Sequence, residues 1–288
     1  MKILFLFAAL LCSCYATPQI TVTVDPTVII KKLNGNENGI NLNYLTDDSY
    51  TDSISSTTAA LKKMGVKMLR YPGGEKSDNY LFSGYPWTTS SPRMATTDAR
   101  SWPTSNPDFV DQDSEQKLCK ENVLDFDEMV QMAKEIDAEP LIVLAYDVMY
   151  LTYSSGASAI KATKAELIEH AVEWVRYANI KKKYNVKYWM IGNESWGDPD
   201  YNGETTPAQY ALDVYEFATA MKAVDPTIKI IVNGERSWWS TLLRSPAMKL
   251  IDILAFSNYP VWDYKGGYSY FKNNNVVLTE EVDAAISA

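Results

Sequence analysis

The segment Lys187-Tyr-Trp-Met-Ile-Gly-Asn-Glu-Ser-Trp-Gly197 gathers the residues best able to do chemistry. Its apolar first half reads as a buried strand that runs out into an amide and a carboxyl side by side, Asn193 and Glu194. A carboxyl group among indole rings is desolvated, which raises its pKa and suits it to give a proton to a leaving oxygen. The plainer reading is an exposed glutamate at the start of a loop. The amide before it and the tryptophans on either side favour the chemical one. Two more carboxylates close apolar runs: Glu235 after Asn233-Gly234, and Asp147 after Leu144-Ala-Tyr146. A pair of carboxylates ~6.5–9.5 Å apart can activate water in an inverting hydrolysis, although acids at strand ends more often bind hydroxyls.

Other chemistries are poorly supplied. His170 is the sole histidine and falls in the middle of a helical pattern, so a Ser-His-Asp triad or a histidine metal site would need it to face a cleft. A packed or helix-surface residue is the better reading. Neither a phosphate loop, nor G-x-G-x-x-G, nor a cysteine metal cluster occurs, and no cofactor or metal is expected. Of three cysteines, Cys12 and Cys14 lie in the leading segment, which leaves Cys119 alone and no internal disulfide. The net charge of −9, with both signs scattered, argues against a nucleic-acid partner, which would need a clustered basic face. Lys181-Lys-Lys183 reads as a solvated helix end.

These residues are positioned by short apolar runs that alternate with amphipathic stretches. Strands are expected at Gly39–Leu42, Val66–Arg70, Pro140–Tyr146, Lys187–Gly192, Ile228–Asn233 and Ile251–Ser257. Helices are expected at Ser56–Met64, Leu124–Ile136, Thr163–Lys182 and Pro207–Val224, with a weaker one over Trp239–Lys249. Thr163 with Glu166 forms a capping-box pattern, and Thr206-Pro207 is another helix start. Apolar strands alternating with helices make the class α/β, with a parallel sheet covered on both sides. The missing dinucleotide loop, together with a long Trp- and Pro-rich connection from Tyr71 to Val123, favours a (β/α)8 barrel of TIM type over a doubly wound sheet. In a barrel, functional loops gather on the C-terminal face. Tyr71, Tyr85, Trp87, Trp102, Trp196, Tyr201, Trp238, Trp239, Tyr259, Trp262 and Tyr264 all follow expected strands, so they are expected on that face, where flat rings suit a carbohydrate.

The chain begins like a secreted protein. Met1-Lys2, the apolar run Ile3–Leu11 and the small-residue end at Ala16 have the form of a signal peptide over residues 1–16. Two short strands are expected within 17–33, followed by the barrel over 34–288. No later run of ~18 apolar residues offers a membrane span, so an extracellular, non-membrane protein is expected.

Tyr188-Trp-Met-Ile-Gly-Asn-Glu194 resembles the fourth-strand motif of retaining glycoside hydrolases in the large barrel clan that includes the alpha-L-arabinofuranosidases. Leu69-Arg-Tyr-Pro-Gly-Gly74 followed by Tyr85-Pro-Trp87 is similar to their second-strand motif, Asn36–Asn43 to their first strand, and Ser257-Asn-Tyr-Pro260 to their sixth. The resemblance implies hydrolysis of O-glycosidic bonds in a neutral polysaccharide, with Glu194 as acid/base and Asn193 on the sugar hydroxyl next to the reacting carbon. Arg70 and Tyr259 would steady the nucleophile, and Trp196 and Glu235 would join them in binding substrate.

The nucleophile implied by the resemblance should end a seventh strand. After the sixth strand only Glu280 and Glu281 are available, and Thr279 caps a helix that takes them both, the sixth in order. About six of eight β/α units are therefore expected, with the nucleophile and the last two strands missing. The alternative function is an inactive or truncated relative that binds carbohydrate outside the cell, or serves in a matrix, without cleaving it.

Overall fold

Helix starts in this chain are written in short polar side chains. Asp125 accepts from the Glu128 amide while Glu128 accepts in return from the Asp125 amide, a complete capping box at the head of a helix. Thr163 and Glu166 repeat the arrangement, and Thr206 caps a helix whose first residue is Pro207. The computed structural model describes residues 27, 38–44, 54–95, 123–151, 161–197, 205–257 and 277–288. The chain divides into Met1–Asn34 and Gly35–Ala288, and of the first unit only Thr27 is described. The expected signal peptide, the expected strands within 17–33 and Cys119 lie outside the described residues.

Six strands form one parallel sheet in the order of the chain: β1 (Gly39–Asn41), β2 (Met68–Tyr71), β3 (Glu139–Leu144), β4 (Tyr188–Ile191), β5 (Lys229–Asn233) and β6 (Ile251–Ala255). Every crossover carries a helix: α1 (Ile54–Lys63), α2 (Phe126–Ile136), α3 (Lys164–Val175), α4 (Pro207–Val224) and α5 (Arg236–Leu243), with α6 (Val277–Ile286) after β6. A doubly wound sheet reverses its strand order at a switch point; this one advances without reversal, as a barrel does. Among the described residues, β1 pairs only with β2 and β6 only with β5, so the six units do not close on each other.

Side chains alternate between two faces. Ile142, Leu144, Trp189, Ile191, Ile230 and Val232 pack outward into the main core under the helices. That core is rich in rings: Phe82 stacks on Trp174 at 5.1 Å, and Trp174 meets Trp189 edge-on at 5.9 Å. The opposite faces of β3, β4 and β5 contribute Val143, Met190 and Ile231 to a small inner cluster bordered by Leu141, Tyr188 and Ala255.

Several boundaries differ from expectation. The helix expected over 163–182 is α-helical to Val175 and continues as a π turn, Arg176–Lys181. The weaker helix splits into α5 and a 3-10 turn, Pro246–Lys249, because Pro246 has no amide to donate and Ser245 caps a new start. Thr279 is not an N-cap, since α6 already includes Val277 and Leu278. A cap contributes only about 1 kcal/mol, too little to fix a boundary against one or two more helical residues. Lys181 and Lys182 are hydrogen-bonded to the Trp87 carbonyl and the Asp127 carboxylate, so the basic run is a tied helix end.

Candidate active site

The turn that follows β4 depends on a glycine and a buried acid. Gly192 has φ +71°, and a Cβ there would fall 2.6 Å from Ser195 Oγ and 2.9 Å from Asp147 Oδ2. Only glycine fits both the angle and the space. Glu194 itself takes a left-handed conformation, φ 51°, a strained state for a residue with a side chain. The strain is held from both neighbouring strands. Asp147, just past β3, accepts from the Asn193 amide and from Ser195 Oγ, each at 3.1 Å. Asn233, the last residue of β5, accepts from the Ser195 amide at 2.8 Å and donates to the Ile191 carbonyl at 3.0 Å.

Asp147 is wholly buried, and so is the carboxyl group of Asp78 within hydrogen-bonding reach of it. Burial pushes Asp147 up to about 7 and Asp78 well above the usual carboxylate range; the Asp147 charge raises Asp78 further, while a hydrogen bond from Asp78 partly offsets the rise at Asp147. Three oxygens of this pair, both of Asp78 and Oδ1 of Asp147, have no conventional donor. A proton shared between the two carboxyl groups satisfies the contact that two carboxylates could not make. The turn bearing Asp147 is anchored in its turn by Tyr146 and Tyr150, whose hydroxyls donate to Asp213 of α4 at 2.8 and 2.6 Å.

Arg70 crosses the interior from β2. Its Nη2 donates to Asn193 Oδ1 at 2.7 Å, and its Nη1 to Asn41 Oδ1 at 2.8 Å and the Gly73 carbonyl at 3.0 Å. One planar guanidinium thus ties the ends of β1, β2 and β4 together. Around it opens a cleft of about 590 Å³, lined on its polar side by Asn41, Arg70, Glu75, Asn193 and Glu194, and on its apolar side by Tyr188, Met190, Ile231 and Phe256. Half-buried Glu194 stands at the C-terminal end of its strand, where the carboxyl group can meet a ligand.

The other expected residues are distributed differently. Trp196 is half-buried against the main core and Glu235 precedes α5; neither is among the residues lining the cleft. Tyr259 lies outside the described residues, as do Trp102, Tyr201, Trp262 and Tyr264. Among the described residues the expected aromatic face is only partly formed. Tyr71, Trp238 and Trp239 are buried, because rings just after a strand also serve to seal the helix layer. Asp147 cannot activate water at the sugar, being fully enclosed. His170 is a packed residue, 2% exposed, whose Nε2 accepts from the Phe82 amide at 2.9 Å; burial lowers its pKa to about 3. The side chain of Asn193, in the formal sequon Asn193-Glu194-Ser195, is buried and engaged by Arg70. Sequence reasoning misses Asp78 and Asn233 as parts of the site. Asp78 lies four residues after Gly74 in a short 3-10 turn, Glu75–Asn79, with no periodicity to mark it as buried.

A model of the alpha-L-arabinofuranosidase 1 domain matches residues 60–275, well over half of the chain. The chain belongs to this family. The matched residues include Arg70, Asp147, Asn193 and Asn233. Among curated relatives, this arabinofuranosidase-family chain is 27% identical over 234 residues to a probable alpha-L-arabinofuranosidase C of Aspergillus clavatus, covering 75% of this chain and 40% of that protein. It is 25% identical over 207 residues to an intracellular exo-alpha-(1->5)-L-arabinofuranosidase of Acetivibrio thermocellus, covering 69% and 37%. The chain therefore spans about two fifths of the length of these relatives. A solved family 51 alpha-L-arabinofuranosidase from Bifidobacterium longum shares the fold, with TM-score 0.57 at 17% identity over 87% of this chain and 51% of that one. The fold is thus of the (β/α) barrel type, with six units among the described residues.

Proposed function

We propose that this chain carries the proton-donating side of a glycosidase site acting on an O-glycosidic bond of a neutral, arabinose-bearing polysaccharide. Glu194 is the acid/base residue. Asn193 binds the hydroxyl next to the reacting carbon, with its amide oriented by Arg70. Trp196 and Glu235 are contacts for sugar outside the cleft, and Tyr259 is one from the segment after β6. The observation that carries this reading is the Arg70–Asn193–Glu194 arrangement at the C-terminal ends of β2 and β4. A strained carboxylate and a fixed amide there face a cleft large enough for sugar rings. Family membership and the names of the relatives support the sugar class, and the pattern of residues 1–16 supports export.

In a retaining reaction Glu194 gives its proton to the leaving oxygen while a second carboxylate attacks carbon, and Glu194 then takes a proton from the incoming water. Among the described residues Glu75 is the other carboxylate lining the cleft. A second reading, carbohydrate binding without cleavage, is favoured by one observation. Glu280, a carboxylate of the segment after β6, is an exposed residue of α6, 3.9 Å from Arg236, rather than a residue of the cleft. Release of sugar from alkyl arabinofuranosides, xylosides and glucosides, measured beside Glu194→Gln, separates the two. Turnover that the substitution removes supports the enzyme. Sugar binding without turnover supports the second reading.

A further inference from the structure

A second cleft, of about 290 Å³, lies between the turn after Leu81 and the first half of α3, and shares no lining residue with the Glu194 cleft. Tyr85 on its rim is 83% exposed, an unusual position for so large a ring. Trp87 beside it is half-buried with φ 58° and stacks on Phe82 at 6.0 Å, so its ring is held in place by the core. Arg93 forms the floor of the turn. Its guanidinium lies so flat against Gly84 that a Cβ there would fall 2.6 Å from Cζ. Its Nε is buried without a hydrogen-bond partner, and among the described residues the group makes no hydrogen bond or ion pair. On the α3 side, Glu166 is committed to the capping box, while Glu169 offers an exposed carboxylate.

Arg93 is only half-buried and lines the cleft, so the guanidinium donors on that side, from which no group among the described residues accepts, are open to the oxygens of a ligand in place of water. An apolar ligand would leave Arg93 unmet, and an acidic one would face both glutamates. Vicinal hydroxyls of a neutral sugar meet both demands: their oxygens accept from Arg93 and their protons go to Glu169. The C–H face of the sugar ring then rests on Tyr85. We propose that this cleft is a non-catalytic site for a neutral stretch of polysaccharide, separate from the Glu194 cleft and independent of whether that cleft turns over.

The test is native gel electrophoresis of the full chain, carrying Glu194→Gln to prevent digestion, through gels containing arabinan, arabinoxylan or polygalacturonate. Retardation by a neutral polysaccharide is expected, weakened about tenfold in affinity by Tyr85→Ala and by Arg93→Met. Tyr85 is on the surface, so its substitution does not threaten folding. The proposal is overturned if both variants are retarded like their parent, if no neutral polysaccharide retards the parent, or if polygalacturonate retards it most. Because retardation needs no turnover, a chain that hydrolyses nothing still decides the question.

Discussion

Arg70 of β2 donates to Asn193 Oδ1 across 2.7 Å, spanning β3 to reach the turn after β4. The same guanidinium holds Asn41 and the Gly73 carbonyl, so its planar fork sets the spacing of three strand ends. A lysine keeps the charge but has no rigid fork. Arg70→Lys is expected to lower kcat/KM on an arabinofuranoside by ten- to a hundredfold, on the order of 1.5–3 kcal/mol for a charged hydrogen bond in the site. Steady-state kinetics beside a thermal melt checks this. Unchanged kinetics would remove Arg70 from the positioning scheme.

The Asp78–Asp147 pair makes a prediction of definite sign. Both carboxyl groups titrate above their ordinary range because of burial, to which the Asp147 charge adds at Asp78. The stability they confer is therefore present below about pH 3.8 and is lost as pH rises through about 7. Asp78→Asn replaces the shared proton with an amide donor. At pH 8 the variant is expected to be more stable than wild type by about 1–3 kcal/mol in urea unfolding, with the gap closing toward pH 4. A variant less stable than wild type at pH 8 would contradict the shared proton.

His170 acts in the opposite sense. Its folded pKa, about 3, lies below the ordinary 6.5, so the stability it confers is present above pH 6.5 and lost as pH falls toward 3. In His170→Gln the side-chain amide oxygen could still accept from the Phe82 amide, but nothing there would titrate. Between pH 7.5 and 5, wild type is expected to lose about 2 kcal/mol more than His170→Gln, and matching urea titrations of both proteins read the difference. Equal losses would mean that the imidazole is protonated without cost in the fold.

Much of the architecture was legible because its signals are local. All six expected strands are present, since a parallel strand buried on both faces is a continuous apolar run, and Thr163 and Thr206 announce their helices by capping chemistry alone. That Arg70, Asn193 and Glu194 would line one cleft was legible because each lies at or just past the end of a strand. Asp78, Asp147 and Asn233 do their work by meeting across loops and neighbouring strands, and no spacing in the chain encodes that meeting. The aromatic residues misled for a related reason. A ring after a strand can face ligand or seal the core, and only packing separates Tyr85 from buried Tyr71.

The proposed reaction rests above all on Glu194 delivering the proton to the leaving oxygen. A poor leaving group needs that proton and a dinitrophenolate does not, so the decisive measurement compares wild type and Glu194→Gln on an alkyl arabinofuranoside and on its dinitrophenyl counterpart. A loss of roughly 10²–10⁴ in kcat/KM is expected on the alkyl substrate and a far smaller one on the activated substrate. Equal losses on both, no loss on either, or no turnover by wild type would contradict proton delivery by Glu194.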